Sequence, residues 1–244
     1  MKIVRDWLFK ILLLSSIPAL ASSSAALFGG FESKPEKGQI SFSNPGYEIS
    51  HILKDGAPFI KPEMEGAGSK SEPGQPDLPT MSTYYAVEPG KIFTINASIK
   101  ESEVIENVEV VPFETWNSQP TGVIEKGVTY QQSSSFPANI ATVSDPMVFR
   151  DIVMVQVSVT PFQYNPVSKT LTVIQEIDLE LVESGATEVP YIPQKKSREF
   201  EILYESLVVN YPSTIREGEE VYQRPSILYV LPNNICLLYT SPSP

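Results

Sequence analysis

Residues 136–182 read FPANIATVSDPMVFRDIVMVQVSVTPFQYNPVSKTLTVIQEIDLELV, and their alternation decides the fold class. Val155, Val157 and Val159 alternate with Gln156, Ser158 and Thr160, while Leu171, Val173, Ile177, Leu179 and Leu181 alternate with Thr172, Glu176, Asp178 and Glu180. A period of two sends one row of side chains to a buried face and the other to solvent, which marks a half-buried strand. Between the runs, Tyr164-Asn165-Pro166-Val167-Ser168-Lys169 carries Asn, Pro and Ser, each of which favours a reversal. The stretch therefore reads as a β-hairpin whose two alternating runs are antiparallel neighbours.

Working outward, the same period recurs. Residues 84–87, 92–99 and 104–113 are β-rich runs, with Phe93, Ile95, Ala97 and Ile99 on one face and Thr94, Asn96 and Ser98 on the other. Residues 39–60 hold short alternating runs broken by Asn44-Pro45-Gly46 and Lys54-Asp55-Gly56, and the Pro- and Gly-rich residues 61–79 read as a loop. Residues 183–198 form a polar connector, and residues 200–210 read as either a short helix or a strand that docks back. The expected fold is all-β, an antiparallel β-sandwich over residues 22–216 with its core at about 39–211.

The chain ends differ from this body. Lys2, Arg5 and Lys10 precede or flank the apolar residues 11–21, and Ala19-Leu20-Ala21 offers small residues for cleavage after Ala21, so residues 1–21 read as a secretory signal peptide. The apolar run is shorter than the about 20 residues that span a bilayer. Export places the protein in the periplasm, at the cell surface or outside the cell, with no membrane attachment after signal cleavage. Ser226-Ile227-Leu228-Tyr229-Val230-Leu231 is a continuous apolar run, the pattern of a fully buried strand opening an α/β domain, so residues 217–234 read as the truncated start of a second domain. Residues 235–244, ICLLYTSPSP, read as translated sequencing-adapter read-through, which makes the natural protein longer.

Chemistry is sparse. His51 is the sole histidine and Cys236 the sole cysteine, far apart in the chain, so no thiol–imidazole pair, internal disulfide or zinc site follows from them. Glu101, Glu103, Glu106 and Glu109 lack the Asp/Asn/Gly pattern of a calcium loop. No phosphate loop or nucleophile elbow is present, and neither a metal nor a cofactor is expected. Loss of residues 1–21 removes three cations and one anion, taking the formal charge from -11 to -13. That acidity excludes nucleic acid as the natural partner.

Three stretches, in order, carry a resemblance. Gly74-Gln75-Pro76-Asp77-Leu78-Pro79 is similar to a G-x-P-x-L-P loop, residues 136–182 match as a block, and Val208-Val209-Asn210-Tyr211 followed by Arg216 is similar to a closing N-Y segment. Together they span residues 74–230 and resemble the N-terminal propeptide of gingipain-type secreted cysteine peptidases, peptidase family C25. The resemblance implies an inhibitory and chaperone propeptide that blocks a caspase-like catalytic domain in cis until proteolysis removes it. The chain itself would then be no enzyme, its residues 217–234 would open the caspase-like domain, and the catalytic His and Cys would lie beyond Pro244. The full precursor would be a cysteine endopeptidase. The competing reading is a secreted surface or adhesion β-sandwich module with no protease partner.

The resemblance places the inhibitory loop at residues 136–140, where a family member presents a basic side chain and this chain has Asn139. Asn139 is the first anchor candidate, and Lys126, in the turn-like Glu125-Lys126-Gly127, is the second. Arg150 heads a strand and reads as structural. Maturation cleavage is expected after Arg216, because the rival Arg224 precedes Pro225, whose ring and missing N–H disfavour productive binding of that bond. N-terminal sequencing of the mature protein is expected to start at Glu217, and a start after Arg198 would overturn the assignment.

Overall fold

A computed structural model describes residues 29–54, 56–114, 125–188 and 198–211. The first sheet contains β1 (Phe31–Ser33), β2 (Gln39–Ser43), β7 (Lys91–Ile105), β11 (Phe162–Asn165) and β12 (Thr170–Ala186). The second contains β5 (Gly68–Ser69), β6 (Pro79–Ala86), β8 (Ala141–Val143), β9 (Met147–Phe149) and β10 (Ile152–Val159). A separate hairpin joins β3 (Glu48–Lys54) to β4 (Ala57–Glu63), and one helix, α1 (Arg198–Leu207), follows the sheets. All the strand pairs are antiparallel. The all-β sandwich expected from the alternation is what forms, and one cluster of buried side chains from both sheets fills it.

The long strand β12 is the spine of the first sheet. Along one edge it pairs with β7 from Leu171↔Ile105 to Ala186↔Lys91, and along the other with β11 and then β2. Leu171, Val173, Ile177 and Leu179 are all fully buried, and Ile40 and Phe42 of β2 stand beside Leu179 and Ile177. Two irregularities offset each other: β12 carries the unpaired Gln175 and β7 the unpaired Lys100. One extra residue on each strand restores the register, so the inward row survives the double bulge.

The hairpin itself differs from the reading of the sequence. Val155, Val157 and Val159 do not neighbour the β12 row. β10 lies in the second sheet between β6 and β8, and only β11 forms the hairpin with β12. The chain changes sheets at Thr160-Pro161. Pro161 lacks the N–H that would continue the β10 ladder, while Pro161 O accepts from Ile174 N at 2.8 Å and so starts the next layer. The two valine- and leucine-bearing rows therefore face one another across the core instead of lying side by side. The reversal fell where expected: Asn165 Oδ1 accepts from Val167 N and Ser168 N, both at 3.1 Å, in an Asx turn.

Two further boundaries moved. β7 runs unbroken to Ile105, and residues 106–113 are joined to the body by isolated bridges, Ile60↔Val110 and Pro76↔Pro112. Part of residues 61–79 is strand, because β4 reaches Glu63 and β5 pairs with the start of β6. Residues 200–210 resolve as a helix with a following turn. Phe200, Tyr204 and Leu207 recur at helical spacing and pack, with Val208 and Tyr211, on Ala86, Met154 and Phe149. Glu201, Ile202 and Glu205 take the outward face. β10 shows the same economy on its outer face: Ile152 and Met154 lie in the cluster beneath α1, whereas Gln156 and Ser158 extend past it.

Burial of β12 sets the scale of stability. Leu179→Ala is expected to cost about 2–5 kcal/mol, because an apolar side chain is lost from a filled interior. Ile99→Ala, on the open edge strand where the side chain is 44% exposed, is expected to cost under about 1 kcal/mol. Urea unfolding of the two variants measures the contrast, and similar midpoints would contradict the packing.

The core also holds tyrosines whose phenols resist ionisation. Burial pushes the Tyr164 phenol up to about 12, with the Glu109 carboxylate adding to it. Burial raises Tyr130 and Tyr204 as well, the latter further by its hydrogen bond to Asp151. Unfolded tyrosine ionises near about pH 10. Above that pH the unfolded chain releases protons that the native state retains, so stability is fully present below about pH 10 and falls as pH rises toward 12. Unfolding midpoints are expected to be level from about pH 7 to 9 and lower at about pH 11; a level profile through pH 11 would contradict the burial of these phenols.

Candidate functional site

Residues 74–79, the G-x-P-x-L-P stretch, act as a bracket. Gly74 has φ of +84°, and a Cβ there would meet Gly127 N at 3.0 Å, so both the backbone angle and the close approach require glycine. Gly74 N donates to Phe113 O at 3.1 Å, Phe113 N donates to Gln75 O at 2.7 Å, and Gly127 N donates to Gly74 O at 2.8 Å. Asp77 N donates to Val111 O at 2.9 Å. Residues 111–113 and Gly127 are thereby fixed to one short segment, whose Leu78 is 1% exposed and roots it in the core.

Lys126 sits beside this bracket and is heavily engaged. Its ammonium pairs with Glu109 and lies 5.2 Å from the centre of the Phe59 ring and 5.6 Å from that of Tyr130. Glu109 also pairs with Lys169 at 3.4 Å. Burial pushes the Glu109 carboxyl up, but the two ammonium groups outweigh it and hold the group below the usual carboxylate range. Tyr130 is fixed in turn, since its hydroxyl donates to Val110 O at 2.7 Å and its ring stands edge-on to Tyr164. Glu109 thus joins Lys126 and Lys169 beside the bracket.

Asn139 has the opposite surroundings. Phe136 exchanges two backbone hydrogen bonds of 2.8 Å with Tyr164, and Gln163 Nε2 donates to Pro137 O at 2.9 Å. On the far side Thr160 N donates to Ile140 O at 2.8 Å. The loop is pinned at both ends on the sheet-crossing segment, with a cis Phe136-Pro137 bond at its start. Ala138 and Asn139 are exposed at its tip, and the Asn139 amide makes no hydrogen bond among the described residues.

The remaining sequence candidates are dispersed. Arg150 adopts φ of 55° in the turn between β9 and β10, where its guanidinium lies 4.0 Å from the centre of the Phe200 ring. That is the structural role expected of it. His51 is exposed on β3. Among the described residues no group of three or more His, Cys, Asp or Glu is placed to hold a metal ion. Ala21, Arg216, Cys236 and residues 217–244 lie outside the described residues.

The exit of the domain is built by Asn210, 4% exposed. Ala86 N donates to Asn210 Oδ1 at 2.7 Å and Asn210 Nδ2 donates to Ala86 O at 3.0 Å. The side-chain amide mimics a peptide group and closes the open end of β6, while Val209 N donates to Tyr84 O at 2.9 Å. Tyr204 hydroxyl donates to Asp151 Oδ1 at 2.6 Å, tying α1 to the β9–β10 turn. A cleft of about 1100 Å³ opens between the β3–β4 hairpin, β6 and the end of α1, with Tyr47, Met64, Met81, Tyr84 and Leu207 in its lining; neither Asn139 nor Lys126 lines it. The pairing of Asn210 with Ala86 had no signal in the sequence beyond the N-Y resemblance, because its partner lies 124 residues away.

Residues 32–226 match the family Propeptide_C25. Gingipain R2 of Porphyromonas gingivalis is 30% identical over 176 residues, covering 66% of this chain and 23% of the relative. Gingipain R1 of the same organism is 32% identical over 148 residues, covering 58% of this chain and 15% of the relative. The chain therefore spans less than a quarter of these curated relatives. A solved complex of the pro- and mature domains of RgpB from Porphyromonas gingivalis contains a chain that superposes with a TM-score of 0.64 at 26% identity, covering 76% of this chain and 98% of that one. The bracket at residues 74–79, the two-sheet core from residue 32 on and the Asn210 exit all fall within the matched span, and the chain belongs to the Propeptide_C25 family as a gingipain-type propeptide.

Proposed function

We propose that this chain is the inhibitory and folding-assisting propeptide of a secreted gingipain-like cysteine endopeptidase. It would bind a caspase-like catalytic domain in cis, cover its substrate cleft, and be released by cleavage after Arg216. The observation that carries this reading is the match over nearly the whole length of the RgpB chain in a complex of pro- and mature domains. Secretion rests on the signal-peptide pattern of residues 1–21 and on the gingipain relatives. No described helix is long and apolar enough to cross a membrane.

Within this reading, Asn139 is the better anchor. A side chain that enters a specificity pocket must leave its own protein, and the exposed Asn139 amide leaves no hydrogen bond to a described residue behind. Lys126 would have to break its pairing with Glu109 and leave the faces of Phe59 and Tyr130, a loss that offsets what the pocket supplies. An asparagine anchor fits a peptidase that does not require Arg or Lys at the primary position, so cleavage after Arg216 would call for a second protease or a broader pocket.

Inhibition of the isolated catalytic domain by this chain tests both levels. The wild-type chain is expected to inhibit. Asn139→Ala is expected to weaken inhibition about thirtyfold, the effect of losing about 2 kcal/mol at an anchor. Lys126→Ala is expected to leave the inhibition constant within about threefold while lowering stability by under about 1 kcal/mol. Near-wild-type inhibition by Asn139→Ala and a large loss in Lys126→Ala would reverse the assignment, and absence of inhibition by the wild-type chain would remove the reading altogether.

A further inference from the structure

Lys70 is the exception among the described lysines. Every other one has a carboxylate within 4 Å. The Lys70 ammonium has only neutral partners: it donates to Ser158 Oγ at 2.9 Å and reaches Thr142 Oγ1 at 3.4 Å. Ser158 Oγ in turn lies 2.9 Å from Ser82 Oγ, and Thr80 and Thr160 hydroxyls pair at 2.8 Å in the next row. Hydroxyl dipoles orient an ammonium without neutralising it, and two of its three donors are used, which leaves one directed elsewhere.

The setting is built, not incidental. β5 pairs Gly68 with Thr80 and Ser69 with Pro79, and Ser71 Oγ donates to Pro76 O at 2.6 Å, so the backbone on both sides of Lys70 is held against the edge of the second sheet. Ser158 beneath it is 2% exposed. The outward positions around it are Ser82 on β6, Gln156 and Ser158 on β10 and Thr142 on β8, none of them acidic. The outer face of the first sheet is the reverse: Glu176, Asp178 and Glu180 alternate with the buried Ile177 and Leu179, and Lys34 and Lys100 both lie on Asp178. In a chain of formal charge -11, Lys70 is thus the one described lysine with no described carboxylate beside it.

We propose that Lys70, with the hydroxyls of Thr142, Ser158 and Ser82, is a carboxylate-binding subsite that receives an Asp or Glu side chain of the mature domain in the same precursor. The proposal rests on the reading of the chain as a propeptide held against that domain. Charge complementarity selects the ligand: an acidic side chain is repelled by the acidic faces and attracted only where an ammonium is uncompensated. Covalent linkage in the precursor supplies an effective concentration in the millimolar range, enough for one charged contact to fix the docking register.

The test is binding of the full chain to the isolated mature domain of its precursor, with Lys70→Met, Lys70→Arg and the wild type compared at low salt and in about 1 M NaCl, where the Debye length falls to about 3 Å. Lys70→Met is expected to weaken binding about tenfold at low salt, to lose most of that deficit in high salt, and to melt with the wild type because the side chain is exposed. Lys70→Arg is expected to retain most of the affinity. Equal binding of wild type and Lys70→Met at low salt overturns the subsite while leaving the propeptide reading intact, and so does a deficit that high salt leaves undiminished. A wild-type chain that fails to bind the mature domain overturns the propeptide reading and the subsite with it.

Discussion

The inward row of β12 pressed against the inward row of β10 is the contact on which the rest of the domain depends. Leu171, Val173, Ile177 and Leu179 face Val155, Val157 and Val159, and all seven are excluded from water. β12 holds ladders on both edges, so its position fixes β7 on one side and β11 and β2 on the other. β10 likewise fixes β6, β8 and β9. Apolar burial of this kind has no direction, and the chain supplies one at Thr160-Pro161, where a residue without an N–H forces the change of layer.

From that core the domain presents its surface features by backbone brackets. Gly74 gathers residues 113 and 127, Tyr164 pins residue 136, and Asn210 closes β6 through Ala86. Each bracket uses a main-chain or amide pair, which places a neighbouring loop without dictating its side chains. The loop that carries Asn139 is therefore held by its backbone, and the frame leaves the side chain at its tip unconstrained.

Charge is distributed by layer. The first sheet carries its acids outward and neutralises several with lysines from β7 and from the segment after β1, while the second sheet shows hydroxyls and amides beyond the cover of α1. Exposed ion pairs of this type add little stability. Their consequence is for the surface pattern, because the outer face of the first sheet is acidic while that of the second shows hydroxyls and amides around the Lys70 ammonium.

The sequence by itself determined the class of the fold, the reversal at residues 165–169 and the family. Alternation, turn residues and the G-x-P-x-L-P stretch are local, and local chemistry is what a linear pattern records. It also placed Arg150 as structural and left residues 200–210 open between helix and strand, since the seven aromatic or apolar residues in that span do not single out one period. What only the tertiary structure decided is which rows face each other. A period of two says that a strand has a buried side but not whether its neighbour lies beside it or across the core, so Val155–Val159 was assigned to the wrong sheet. The pairing of Lys126 with Glu109 and the seating of Lys70 on Ser158, away from every described carboxylate, join residues 17 and 88 positions apart in the chain. Such neighbours are set by how the layers close, and no spacing in the sequence encodes them.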